Sequence, residues 1–353
     1  MGNPKKTDME RHTRQKVAIY DAYLKRYLKI ISRGGYTRVN LYDPCAGKGK
    51  YGESEGSAVV ACNNIRSHAT LAPRDGFHLY LNEPNSENRD ELSHYCSFPF
   101  VEEIAAIDAE SFISKHCLHK QLGHSLWFID PYGYTQVRQN SITQIMAQYG
   151  SEVLLFIPLT FIYRFLKGAA NDANLQSVAT FLSDYSIAKE EALSCSSASK
   201  FAELISRKLQ YLYGYSWHAT MQEGPLCYSL IFIGKHHYGL EKFLEARSKI
   251  LSDKTNSRPS LIPMGEERVL LSLLPTNKPI TNCQLYALAL NNGYTPSEAR
   301  ACLESLELRK LIHVKPMNEV RRRKGIFFLG KKYFEQNDNR IEISIVQEQG
   351  TLL

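Results

Sequence analysis

The 353-residue chain lacks any Cys-x-x-Cys pair. Its eight cysteines, Cys45, Cys62, Cys96, Cys117, Cys195, Cys227, Cys283 and Cys302, are scattered. That argues against a zinc ribbon, an iron–sulfur cluster or a disulfide scaffold, and predicts reduced thiols in a cytoplasmic protein. The histidines and cysteines have no ligand spacing, so no metal is expected. Long apolar runs are also missing: stretches such as Val153-Leu154-Leu155-Phe156-Ile157 are too short to span a bilayer. The polar start Met1-Gly2-Asn3-Pro4-Lys5-Lys6 has no apolar signal segment, and Thr7 falls one place late for a myristoylation signal. No internal repeat or low-complexity tract appears. What remains, 43% hydrophobic and 22% charged residues, is ordinary for a soluble globular protein with room for one large core and a smaller domain.

The net charge of +7 is unevenly spread. Residues 1–38 carry 10 Lys/Arg against 3 acids, residues 39–264 carry 20 against 23, and residues 265–335 carry 12 against 7. Basic ends flanking a slightly acidic middle suit a polyanionic partner, although solvated helix faces explain such patches equally well one at a time.

Residues 12–32 predict an amphipathic helix, with Val17, Tyr20, Leu24, Tyr27 and Leu28 on one stripe and Gly34-Gly35 as its stop. Strand candidates then alternate with spacers: 38–42, 78–82, part of 101–107, 125–129, 152–157, 215–220 and 227–233. Near-continuous apolar runs of this kind predict strands buried on both faces of a doubly wound α/β sheet. The last two are joined too tightly for a helical crossover, so they form an antiparallel hairpin. The polar, proline-punctuated stretch 251–263 reads as a linker. Beyond it come helices at 266–274 and 281–291. A third helix, running to Leu311, is opened by the capping box Thr295-Pro296-Ser297-Glu298. Strands at 312–314 and 326–329 then flank Arg321-Arg322-Arg323-Lys324-Gly325, the pattern of a winged helix. The chain from Asp338 reads as a weakly ordered tail. The expected domains are a basic N-terminal helix (1–36), an α/β core (37–250), the linker (251–263), a winged helix (264–335) and a tail (336–353).

Chemistry concentrates at the ends of the strand candidates. Val39-Asn40-Leu41-Tyr42-Asp43-Pro44-Cys45-Ala46-Gly47-Lys48-Gly49 is a strand ending on an acid and breaking into a Gly-x-Gly turn, where backbone can approach a ligand closely. It lacks the third glycine of the dinucleotide fingerprint, so NAD is not favoured. The turn resembles the first motif of S-adenosylmethionine (SAM) methyltransferases. On that resemblance Asp43, Ala46, Gly47, Gly49 and Tyr51 surround the cofactor, although Tyr51, like Tyr42, reads first as a core or rim residue. Glu83, closing the second strand, is the candidate for the ribose hydroxyls, and Asp108, after the third, for the adenine amino group. A surface acid and a helix cap are the plainer readings of these two.

Asp130-Pro131-Tyr132-Gly133 ends the fourth strand. It resembles the [Asp/Asn/Ser]-Pro-Pro-aromatic motif of amino-group methyltransferases, with Tyr132 standing where the second proline would be. By that resemblance Asp130 and Pro131 position the acceptor amine and Tyr132 stacks on or walls it. An Asp-Pro-Tyr-Gly tetrapeptide is otherwise simply a turn.

Three motifs together resemble the three-Cys-motif partner family: His12-Thr13-Arg14-Gln15-Lys16 leading a helix, Tyr42–Gly52, and Phe128-Ile129-Asp130-Pro131-Tyr132-Gly133. Pro44-Cys45 departs from the Gly-Phe usual in that family. The resemblance covers roughly residues 10–335 and implies a class I methyltransferase fold (Rossmann-like, with an antiparallel last strand). It also implies a bacterial or phage setting and a radical-SAM-type protein partner. His12 and Lys16, four apart, read first as a solvated helix face and second as a pair covering the SAM pocket or touching a phosphate.

The expected function is SAM-dependent methylation of a nucleic acid, a base amino group being favoured. Arg300, Arg309, Lys310, Arg321, Arg322, Arg323 and Lys324 are the candidate phosphate contacts. The rivals are a catalytically silent nucleic-acid-binding or assembly module, and a methyltransferase acting on a protein or small molecule.

Overall fold

The first helix, α1 (Arg11–Arg33), forms where the apolar spacing predicts it. Val17, Tyr20, Leu24, Tyr27 and Leu28 are all buried, each worth roughly 1.5–3 kcal/mol of apolar burial. Gly34 closes the helix, donating its N–H to the Ile30 and Ile31 carbonyls at 3.0 Å, and Gly35 turns the chain away at φ 75°. The computed structural model describes residues 9–120, 122–133, 136–166, 172–251, 266–317 and 319–346. All but the first residue of the expected linker, residues 1–8 and the tail from 347 lie outside them. The chain divides into two compact units, Met1–Leu251 and Ser252–Leu353.

In unit 1 the chain alternates strands and helices. After β1 (Val39–Asp43) come the short hairpin β2 (Lys50–Tyr51) and β3 (Ser54–Glu55), α2 (Ser57–Ser67), β4 (Phe77–Asn82), α3 (Ser86–Tyr95), β5 (Val101–Ala105) and α4 (Ala109–Cys117). There follow β6 (His124–Ile129), α5 (Gln139–Ala147), β7 (Ser151–Ile157) and four helices: α6 (Leu159–Leu166), α7 (Asp172–Asp184), α8 (Lys189–Ser194) and α9 (Ala198–Tyr213). The hairpin β8 (Tyr215–Glu223) and β9 (Leu226–Gly234) and then α10 (His237–Leu251) complete the unit.

The seven strands of the main sheet lie in the order β5-β4-β1-β6-β7-β9-β8. β5, β4, β1, β6 and β7 are parallel neighbours, and β9 runs antiparallel between β7 and β8. This is the α/β fold with a mostly parallel sheet and an antiparallel hairpin that the apolar runs predict. The order in which strands are added switches sides at β1, which has β4 on one flank and β6 on the other. Ligands bind at the carboxyl edge of such a switch point.

Successive residues serve opposite faces of the sheet. Trp127 stacks on Tyr42 at 4.0 Å and Tyr42 on Tyr80 at 4.8 Å, an aromatic ladder across β6, β1 and β4. Phe128, the next residue, meets Tyr20 of α1 at 4.3 Å. α1 therefore lies on the face opposite the ladder, beside α2 and α10.

Unit 2 contains α11 (Glu266–Leu273), β10 (Ile280–Thr281), α12 (Asn282–Asn291), α13 (Pro296–Leu308), β11 (Ile312–Pro316), α14 (Lys331–Glu335) and β12 (Ile341–Ile345). The Thr295 capping box is present, with the Glu298 side chain accepting the Thr295 N–H at 2.7 Å. α13 stops at Leu308 rather than Leu311 because Lys310 adopts φ 59°. The Leu311 N–H then reaches back to the Leu306 carbonyl at 2.9 Å, a closure usually made by glycine.

The strand expected at 326–329 does not form. Phe328 has φ 51°, which breaks extended backbone, while Phe327 and Leu329 are buried as irregular chain. The partner of β11 is β12, from the segment read as a weakly ordered tail, and β12 is the central strand of the sheet β10-β12-β11. The basic run 321–324 therefore sits in the long connection between β11 and β12.

Candidate active site

The first turn is built by its glycines. Gly47 and Gly49 have φ 62° and 87°, and a Cβ on Gly47 would lie 2.5 Å from the Tyr51 hydroxyl oxygen. The Gly56 N–H donates to the Gly49 carbonyl at 2.7 Å, which brings the turn against the start of α2. Asp43 is buried, and the protein engages both its oxygens: the Cys45 N–H donates to Oδ1 at 3.1 Å and the Ser57 hydroxyl to Oδ2 at 2.6 Å. Desolvation pushes the Asp43 carboxyl up to about 7, against the opposing pull of those hydrogen bonds. Asp43 thus clamps the turn to α2.

Glu83 is 1% exposed. Its Oε1 accepts the Asn85 N–H at 2.8 Å, whereas Oε2 is sealed from solvent and has no hydrogen-bond partner. A buried carboxylate oxygen left unpaired costs about 1–3 kcal/mol or more, so this orphan marks a place where a donor is expected. The sequence's plainer reading of Glu83 as a surface acid is overturned.

Asn82, which sequence reasoning missed, holds the neighbouring loops. Its amide Nδ2 donates to the carbonyls of Pro44 and Ile107, both at 2.9 Å, and its Oδ1 accepts the Ile107 N–H at 3.1 Å. Its own carbonyl accepts the N–H of buried Ala46 at 3.0 Å. The available signal was a polar amide closing an otherwise apolar buried strand, which must find partners.

Asp108 is exposed and caps α4, its Oδ1 accepting the Ser111 N–H at 2.9 Å, and that bonding holds its carboxyl below the ordinary range.

Asp130 sits at the end of β6 with Pro131 buried behind it, while Tyr132 is 72% exposed. Although most of the ring is in water, partial desolvation and then the Glu83 carboxylate hold the Tyr132 phenol above its ordinary range, with Tyr51, Asp130 and Cys45 adding to it. Desolvation also raises the Tyr51 phenol, with further contributions from Asp130 and Glu83. Because β1 lies between β4 and β6 and runs parallel to both, the Gly-x-Gly turn, the β4 end and the β6 end share one edge of the sheet.

The N-terminal helix completes that place. His12 and Lys16 are buried, so the reading of a solvated helix face is wrong. The Lys16 ammonium donates to Asp130 Oδ2 and lies 4.1 Å from the centroid of the Phe156 ring. His12 stacks on Tyr228 at 3.8 Å and bonds Glu223 Oε2 through Nδ1 at 2.6 Å. That hydrogen bond holds the Glu223 carboxyl below its usual range.

In unit 2 the seven basic candidates differ in role. Arg322 makes a two-pronged ion pair with Glu307, 2.7 Å on each branch, and covers the Phe327 ring at 4.9 Å. Arg309 pairs with Glu267 at 2.6 Å. Arg321, Arg323, Lys324 and Lys310 are exposed, and Arg300 is half-buried. Arg322 thus has a structural partner within unit 2, unlike the exposed cations beside it.

No protein-family model matches the chain, and no curated protein matches it in sequence. Solved structures with similarity include a protein of Legionella pneumophila str. Philadelphia 1 described as family-model DUF519. It has a TM-score of 0.39 and 13% identity, over 69% of this chain and 94% of that one. An O-methyltransferase from Bacillus cereus in complex with SAH gives 0.36 and 10% identity, over 65% of this chain and 84% of that one. Human methyltransferase-like protein 13 in complex with SAH gives 0.36 and 10% identity, over 72% and 98%. At these scores the similarities assign no residue a role, and the site rests on its own geometry.

Proposed function

We propose that unit 1 is a SAM-dependent methyltransferase and that its acceptor is carried on nucleic acid contacted by unit 2. Unit 2 runs helix–strand–helix–helix–strand–helix–strand, an order that supports a winged-helix reading with the short helix α14 inserted between its last two strands. The observation that carries the cofactor reading is the buried, unpartnered Oε2 of Glu83 beside a two-glycine turn at the switch point of the sheet. A ribose diol supplies the donors this oxygen lacks. When bound, SAM supplies a methyl group on an electrophilic sulfonium.

In this reading Glu83 accepts the ribose hydroxyls, Gly47 and Gly49 admit the methionine part, and Asp108 meets the adenine amino group from its capping position. Lys16 keeps one oxygen of Asp130 occupied, leaving the other oxygen and the Pro131 carbonyl for an acceptor N–H. The exposed Tyr132 ring forms the acceptor wall. Kinship with the three-Cys-motif partner proteins would add a radical-SAM-type partner.

A second reading, a catalytically silent module, draws on one observation: the Lys16 ammonium fills part of the seat where an acceptor amine would donate. Calorimetry with SAM and SAH, followed by transfer of labelled methyl to DNA, RNA and lysate protein in parallel, separates the two. Absence of binding heat with folded protein sinks the cofactor assignment. Binding without transfer to any acceptor favours the silent module.

A further inference from the structure

Resting on the reading of unit 2 as a nucleic-acid contact, we propose that the turn 321–326, and not the helix α13, is the element that grips the phosphate backbone. In the usual helix-turn-helix arrangement the third helix enters the major groove. Here α13 is unsuited to that task. Its charged residues are Glu298, Arg300, Glu304 and Glu307, and its exposed positions are Ser297, Glu304 and Leu308. A helix presenting more carboxylates than cations repels a polyanion.

One acid of α13 instead holds the loop, and a second lies beside it. Glu307 grips the Arg322 guanidinium on both branches at 2.7 Å. A Cβ on Gly325 would lie 3.3 Å from Glu304 Oε1, so the Glu304 carboxylate flanks the turn at a glycine with φ 81°. Arg322 also donates from Nε to the Ile326 carbonyl at 2.7 Å, and the Ile326 N–H returns to the Arg323 carbonyl at 3.1 Å. Phe327, fully buried, lies under the same guanidinium. One arginine of the run is thereby buried as a post, and the turn is fixed around it.

The consequence is that Arg321, Arg323 and Lys324 stand exposed on a braced turn. A pre-ordered trio loses less side-chain and loop entropy on binding than a floppy tail would. The connection from Lys315 to Arg340 carries eight Lys/Arg against three acids, whereas α13 carries one Arg against three Glu. The partner that fits is a chain of phosphodiesters read by charge and spacing, without base recognition by α13.

The test uses the full chain and fluorescence anisotropy with two probes, a labelled random-sequence DNA duplex and a labelled single-stranded RNA, across a salt series. The variant R321S/R323S/K324S changes only exposed side chains, and circular dichroism and SAM calorimetry check that unit 1 is untouched. Loss of three phosphate contacts is expected to lower the log–log salt slope by about 2–3 and to weaken binding at least about tenfold. R300S/K310S is expected to stay within about twofold of wild type. Arg322→Met, which removes the post and keeps the exposed cations, is expected to weaken binding less than the triple change. The proposal is overturned if the triple variant binds as wild type does, if R300S/K310S accounts for the loss, or if wild type binds neither probe at low salt. SAM heat retained in that last case leaves the methyltransferase reading standing.

Discussion

Lys16 and Asp130 form an ion pair across 114 positions of sequence, joining the first helix to the carboxyl end of β6. Only 3% of Lys16 is exposed, and its ammonium lies against Asp130 and the Phe156 face. α1 is therefore part of the site: its second turn decides which oxygen of Asp130 remains available.

Coupling between the two residues is measurable by a double-mutant cycle. Lys16→Met leaves Asp130 unpaired, and Asp130→Asn leaves a buried ammonium against a neutral amide. Each is expected to lower stability by about 2 kcal/mol, and the double variant to lose clearly less than the sum. Urea denaturation of the four proteins reads this. Strict additivity would show that the pair is incidental.

Glu83→Gln tests the cofactor assignment with little change of shape. The amide keeps an acceptor for the Asn85 N–H but removes the charge that a ribose diol would bond. A charge-assisted hydrogen bond contributes about 1.5–3 kcal/mol, so SAM and SAH affinity should fall roughly 10- to 100-fold by calorimetry. Thermal stability of the ligand-free protein should hardly move, because the lost oxygen has no partner there. Unchanged affinity would remove Glu83 from the site.

Much of the fold was legible because its signals are local. The stripe Val17–Leu28, the β8–β9 hairpin and the Thr295 capping box each declare themselves within a few residues. The failures have equally specific causes. Ile326-Phe327-Phe328-Leu329 looks like a strand, but its burial is that of irregular chain pinned beneath Arg322. The alternation Ile341-Glu342-Ile343-Ser344-Ile345 was the better strand signal, with Ile341 and Ile343 buried. His12 and Glu223 are bonded across 211 positions, and nothing near either residue announces the other. Within Arg321–Lys324 the four cations look alike; it is Glu307, on α13, and the buried ring of Phe327 that single out Arg322.

Stability should depend on pH through Asp43. Its unfolded carboxyl titrates near 3.8 and its folded one at about 7. Between those values the folded state holds a proton that the unfolded state has released. Stability is therefore greatest on the acidic side of that window and falls as pH rises towards 7. Glu152, also pushed up to about 7 by burial, adds to the same trend. Asp43→Asn mimics the protonated acid, accepting from the Cys45 N–H and donating to Ser57. It should remove up to about 1.4 kcal/mol per pH unit of the slope between pH 5 and 7, measured by urea unfolding. A slope unchanged in this variant would place the proton elsewhere.

Asn82 tests whether the loops flanking Glu83 are held as one assembly. Asn82→Leu fits the apolar strand but leaves the Pro44 and Ile107 carbonyls and the Ile107 N–H without their partner. The loss should be about 2–4 kcal/mol of stability, with weaker SAM binding because both walls of the site loosen. Asn82→Asp separates charge from shape. An ionised carboxylate there faces two carbonyl oxygens and is worse than leucine at pH 8. Once protonated it regains one donor, so the folded state raises its pKa and recovers stability as pH falls to 5. Asn82→Leu has no group to titrate and should follow wild type over the same range. Equal pH dependence in the two variants would mean that the amide is not the link between the loops, and that the site is held by the Asp43 clamp alone.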